Sequence, residues 1–141
     1  MNINIILNPA VLRIAGDEQL EGILGEVSVV KGSKKHNKME NPCFTVENRY
    51  LEVDPGDDKY QGSFLITFYA DDYKTGNADI ELLGQVVDMI KEIFNYNPFN
   101  LNNYKNYYLE VSNISKAEYN NNFPNQHYMV IEVEYKVVKT G

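Results

Sequence analysis

The chain has 141 residues, 43% of them hydrophobic and 23% charged, with a formal net charge of −7 and one cysteine. That length predicts a single domain, residues 1–141, burying roughly two thirds of its unfolded surface, and the apolar content excludes disorder as the main state. The acidic balance disfavours general attraction to nucleic-acid phosphates or anionic lipid, and the lone Cys43 excludes an internal disulfide and cannot by itself make a zinc site, which fits a reducing, intracellular compartment.

The stretch 1–16 is apolar in part, but it lacks a basic start and is interrupted by Asn4, Asn8 and Pro9, so neither a leader peptide nor a membrane span is expected. Residues 9–24 carry Val11, Leu12, Ile14, Ala15, Leu20, Ile23 and Leu24, with Asn8 placed as an N-cap before a first-turn proline. The spacing predicts a short helix, either continuous or broken at Gly16, in which case Asp17 caps a second piece that stops at Gly25. Residues 26–30 begin a short strand. Residues 31–42 are polar and show neither helical nor strand period, which reads as a mobile loop. Lys31, Lys34, Lys35 and Lys38 gather there beside His36, either as a solvated charge run or as a positive interface patch.

Residues 43–53 read as a half-exposed strand, with Phe44, Val46, Asn48 and Tyr50 on one face and Thr45, Glu47 and Arg49 on the other. Asp54, Pro55, Gly56, Asp57 and Asp58 make a strong turn signal. Residues 60–70 follow with Phe64, Ile66 and Phe68 against Leu65, Thr67 and Tyr69, apolar enough on both faces for a central strand paired to the first as a hairpin.

Asn77 is placed as the N-cap of a helix over 77–94, with Asp79 and Glu81 in the first turn. Ile80, Leu83, Val87, Ile90 and Phe94, flanked by Leu82, Val86 and Ile93, form a wide apolar stripe. Pro98 and the asparagines of 95–106 end the helix in a loop. Residues 107–114 and 126–138 read as two more strands, joined through a turn at Asn120, Asn121, Asn122 and Pro124 into a second hairpin. Met129, Ile131, Val133, Tyr135 and Val137 share one face of the last strand; Tyr128, Val130, Glu132, Glu134 and Lys136 share the other. The fold class is α+β: an antiparallel or mixed sheet of about four to five strands under one long amphipathic helix and a short N-terminal helix.

No catalytic, cofactor or metal site is expected. The two histidines, His36 and His127, and Cys43 show no local pattern that activates a thiol. The acidic group Asp54, Asp57 and Asp58 lacks the spacing and distal glutamate of a calcium loop, and there is no glycine-rich phosphate cradle. Asp71 and Asp72 follow the central strand, either as a turn or as a contact to a neighbouring subunit. Tyr104, Tyr107 and Tyr108 have only Lys105 beside them, unlike a nucleic-acid stacking platform, and suit an interface or partial core. Candidate interface residues are therefore Lys31, Lys34, Lys35, Lys38, Asp71, Asp72, Tyr104 and Tyr107.

The order helix, polar loop, hairpin, helix, hairpin, centred on YQGSFLITFYADDYKTGNADIELLGQVVDMIKEIFN, resembles the tail-completion or tail-terminator proteins of long-tailed bacteriophages and prophages. The resemblance rests on Phe68, Tyr69, Ala70 and Asp71 ending the central strand, on Ile23, Leu24 and Gly25 ending the N-terminal helix, on the run Pro42, Cys43, Phe44, Thr45 and Val46, and on the closing strand 127–138. The stretch 96–107 is longer and richer in asparagine than is usual there. The resemblance implies a ring, usually hexameric, where the tail tube meets the head connector. It also implies assembly in the bacterial cytoplasm before incorporation into the virion, partners limited to tail-tube and connector proteins, and no catalysed reaction. The alternative classes are a small intracellular adaptor or ligand-binding domain, and a small enzyme.

Overall fold

The computed structural model describes residues 1–33, 35, 39–56 and 58–141. Lys34, His36 and Lys38 of the basic run, and Asp57 of the acidic turn, lie outside the described residues, as does part of the loop expected over 31–42.

Among the described residues three helices open and divide the chain: α1 (Asn4–Ala15), α2 (Glu18–Leu24) and α3 (Ile80–Phe94). The break at Gly16 is present, so the N-terminal helix is two pieces. Its start differs from the expected one, because α1 begins five residues before Pro9 and holds that proline inside the helix. Ile6, Leu7, Ala10 and Ile14 bury one stripe of α1, and that burial outweighs the missing N–H of an interior proline. Helix α3 is shorter than expected, 15 residues, and Asp79 rather than Asn77 is its cap: the Asp79 carboxylate accepts the Leu82 N–H at 3.1 Å and the Tyr73 hydroxyl at 2.8 Å. Leu83, Val87, Ile90 and Phe94 of the expected stripe are buried together with Val86, but Ile80, the first helical residue, is 60% exposed, because the stripe starts a turn later than the period suggested.

The strands are β1 (Ser28–Lys31), β2 (Cys43–Asp54), β3 (Lys59–Asp71), β4 (Tyr104–Ile114), β5 (Glu118–Tyr119) and β6 (Gln126–Lys139). They form one mixed sheet in the order β1-β2-β3-β6-β4, with β5 added beside β6. It is one or two strands larger than expected. β1 runs parallel to β2, while the other pairs are antiparallel. Parallel neighbours cannot be joined by a tight hairpin, and β1 and β2 are separated in the chain by residues 32–42. The hairpin β2–β3 and the central place of β3 agree with the sequence reading, and β6 pairs along the whole of β3 from Lys59–Val138 to Asp71–Gln126.

All three helices cover the same face of the sheet. Their apolar residues join Phe44, Val46, Phe64, Ile66, Phe68, Ile131, Val133, Tyr135 and Val137 in one core. A bulge at Arg49 breaks the alternation of β2, putting Tyr50 opposite Ser63 and Leu51 opposite Gly62. Tyr50 therefore stands on the face away from the helices, not with Phe44 and Val46, and Leu51 takes its place against the core. Gly62 is required there, because a β-carbon would run into the Tyr50 carbonyl oxygen and the Tyr135 ring.

The asparagine-rich segment before β4 has a structural use. Asn106, almost fully buried, accepts the Phe99 N–H at 2.7 Å and donates to the Tyr108 and Lys136 carbonyls, and Asn95 accepts the Val111 N–H at 2.6 Å. These amides satisfy backbone groups left open by a bulge in β4 and by the helix end. They seat Phe99 in the core under the Arg13 guanidinium, which lies 4.3 Å from the ring centroid.

Candidate functional site

The face of the sheet away from the helices has two parts. Toward the Lys59 end it is open and carries Tyr50, Glu52, Glu132 and Glu134. There Glu132 accepts from Ser63 at 2.8 Å and pairs with Arg49 at 3.1 Å, and Gln61 donates to Glu52. At the β4 edge, Tyr96 and Tyr108 both donate to Glu110. The two hydrogen bonds hold the Glu110 carboxyl below its usual range, and the same bond pushes the Tyr108 phenol up to about 12.

Toward the Asp71 end the face is partly covered. Met39 packs with Cys43 and Tyr69, supported by Val30 and Tyr128, as a small second cluster. Between this cluster and the turn leading into β6 lies a cavity of about 290 Å³. Tyr69, Thr67 and Leu65 of β3 and Tyr128 and Val130 of β6 form its floor, Asn120–Phe123 one wall, and Lys35 and Glu47 also line it. Tyr69 and Tyr128 pair across the strands with ring centroids 5.7 Å apart.

Lys35 is the unusual group. Only 5% exposed, it is buried beneath the surface and forms no part of an exposed positive patch. Its Nζ donates to Asn41 Oδ1 at 2.9 Å and to the Met39 carbonyl at 3.5 Å, and it lies 4.7 Å from the Phe123 centroid and 5.9 Å from that of Tyr69. Asn41 in turn donates to Asp71 at 2.9 Å, and the Cys43 thiol lies 3.4 Å from the same Asn41 oxygen. Burial pushes that thiol up to about 11, with Asp71 adding to the shift and Lys35 opposing it, so sulfur is protonated at neutral pH. Burial likewise raises the Glu47 carboxyl and, as its main cause, the Tyr69 phenol. Beside this network the Asp72 carboxylate, with its side chain only 2% exposed, meets His127 Nδ1 at 2.6 Å.

The candidate residues chosen from sequence do not form one patch. Lys35, Asp71 and Asp72 meet at one end of the sheet. Lys31 is on the β1 edge, where its ammonium reaches Asn8 Oδ1 at 2.7 Å and Asn4 Oδ1 at 3.3 Å. Tyr104 and Tyr107 belong to the start of β4, beside Lys139, about 40 Å along β6 from His127 at about 3.4 Å per residue. Tyr104 packs edge-on against Tyr60, whereas Tyr107 is 46% exposed. Sequence reasoning missed Asn41, Glu47, Asn120, Phe123 and Tyr128 as neighbours of Lys35. The Asn120 run signalled a turn, but nothing local showed that the turn folds back over β3.

Among the described residues no group of three or more His, Cys, Asp or Glu is placed to hold a metal ion, and no helix is long and apolar enough to cross a membrane. The chain matches no protein-family model, and the search of curated proteins gives no match.

Proposed function

We propose that the chain is a ring-forming tail-completion or terminator subunit of a bacteriophage or prophage, joining the tail tube to the head connector. The reading begins from the resemblance of its central strand and helix to that family. One structural observation supports it: the sheet ends in two unlike edges. The β1 edge is four residues long and basic at Lys31, while the β4 edge is 11 residues long and presents Tyr107. Two different edges suit a head-to-tail contact, the kind that closes into a ring by rotation, whereas a two-fold dimer uses one surface twice. The subunit then assembles in the bacterial cytoplasm, probes the tail tube with one rim and the connector with the other, and enters the virion as a hexamer.

Native mass spectrometry of the purified chain is expected to give a monomer, a closed ring, or both in exchange. Tyr107→Asp places a charge on the β4 edge and should shift any ring to monomer without unfolding it. A stable dimer as the sole species would overturn the proposal. So would normal, infectious particles from a phage lacking the gene, for which tails of abnormal length or detached from heads are expected.

A further inference from the structure

We propose that the cavity beside Lys35 binds a small organic monoanion with a flat apolar body, its anionic head against the Lys35 ammonium and its ring between Phe123 and the Tyr69–Tyr128 pair. Lys35 is buried with only neutral partners among the described residues: an amide oxygen, a carbonyl and two aromatic faces. Among the described residues no carboxylate lies within ion-pair distance of it. A buried ammonium is normally neutralised by a partner charge, and a cavity on its flank leaves room for that charge to be a ligand's.

The volume, about 290 Å³, is at the small end of ligand sites, which run from roughly 300 Å³ upward. The lining suits that class: aromatic and aliphatic floor residues for an apolar body, with Ser33, Thr67, Asn120 and Asn121 as the polar groups that orient a head. Glu47 sets the charge of the ligand. It lines the same cavity from a position four residues along β2 from Cys43, about 13 Å at about 3.3 Å per residue, so a second anionic group reaching that end meets a carboxylate. The pocket contains no β4 residue, so ligand binding and ring formation through that edge are separable.

The test is an NMR titration of the whole chain, following tyrosine ring resonances, with three probes: benzoate, benzylammonium and inorganic phosphate. Benzoate is expected to bind saturably, and its charge-reversed and ring-free counterparts about tenfold more weakly or worse, the discrimination expected when a head group faces one buried charge. Lys35→Met should abolish the benzoate shifts. Asn121→Asp, at an exposed turn position on the cavity wall, should weaken them, and it decides the matter if Lys35→Met does not fold. Absence of saturable benzoate binding overturns the proposal. Equal binding of benzylammonium or of phosphate overturns it too, as does unchanged benzoate affinity in a folded Lys35→Met chain or in Asn121→Asp.

Discussion

Replacing Tyr135 by phenylalanine is expected to stabilise the fold. Tyr135 is 1% exposed in the middle of β6, and among the described residues its hydroxyl has no hydrogen-bond partner. The ring is well used, lying 6.2 Å from Phe64 in a stacked arrangement, and phenylalanine keeps that contact. An unsatisfied buried polar group costs about 1–3 kcal/mol. Against the recovery of that cost stand the few dispersion contacts of one oxygen, at about 0.1–0.2 kcal/mol each. The net expectation is a gain of about 0.5–2 kcal/mol, read as a higher urea midpoint with an unchanged slope, or as about 2–4 °C in Tm per kcal/mol for a chain near this size. A pH series adds a second readout. Burial, with a smaller contribution from Tyr50, raises the Tyr135 phenol above its ordinary value, so the neutral form is favoured in the fold. The associated stability is complete below about pH 10, the unfolded phenol's value, and is lost as the pH rises past it toward the folded value. Tyr135→Phe should remove that part of the alkaline loss. A variant destabilised by more than about 1 kcal/mol, about the net worth of a made hydrogen bond, would show that the hydroxyl is satisfied and refute the reasoning.

Two further substitutions probe the geometry that positions the site. Gly62→Ala should destabilise by at least about 1–3 kcal/mol, the usual cost of overpacking, because its β-carbon meets the Tyr50 backbone oxygen, which cannot rotate away; chemical denaturation measures it, and Tyr135→Phe in the same chain should relieve only the side-chain part. Asp79→Ala removes the cap of α3 and the partner of Tyr73 and should cost about 0.5–2 kcal/mol, whereas Asn77→Ala, at the position the sequence pattern favoured, should cost far less; equal losses would contradict the observed cap.

The division between local and tertiary information is visible in particular residues. The α3 stripe from Leu83 to Phe94 and the alternation of β3 and β6 were readable because burying one face imposes a period, and the period survives in any topology that buries it. The same pattern failed at Tyr50, where one extra residue at Arg49 inverts the faces of β2. Residue types alone cannot show a bulge, since its requirement comes from the partner strand. The α1 start was missed because Pro9 and Asn8 outrank Ile6 and Leu7 in local propensity, and only a core to bury them reverses the ranking.

The site was the least readable part. Lys35 stands in a run of lysines that composition assigns to solvent, and Asn120 in a run that composition assigns to a turn. Each assignment is locally sound, yet the two segments meet over β3 because β6 pairs with it from Asp71 to Lys59. What the sequence determined by itself was most of the elements and the faces that α3, β3 and β6 bury, because periodicity and turn chemistry act within a few residues. Strand order, the parallel β1, the placing of all three helices on one face and the burial of a lysine beside a cavity were decided by the tertiary structure, because each depends on which distant backbone lies alongside.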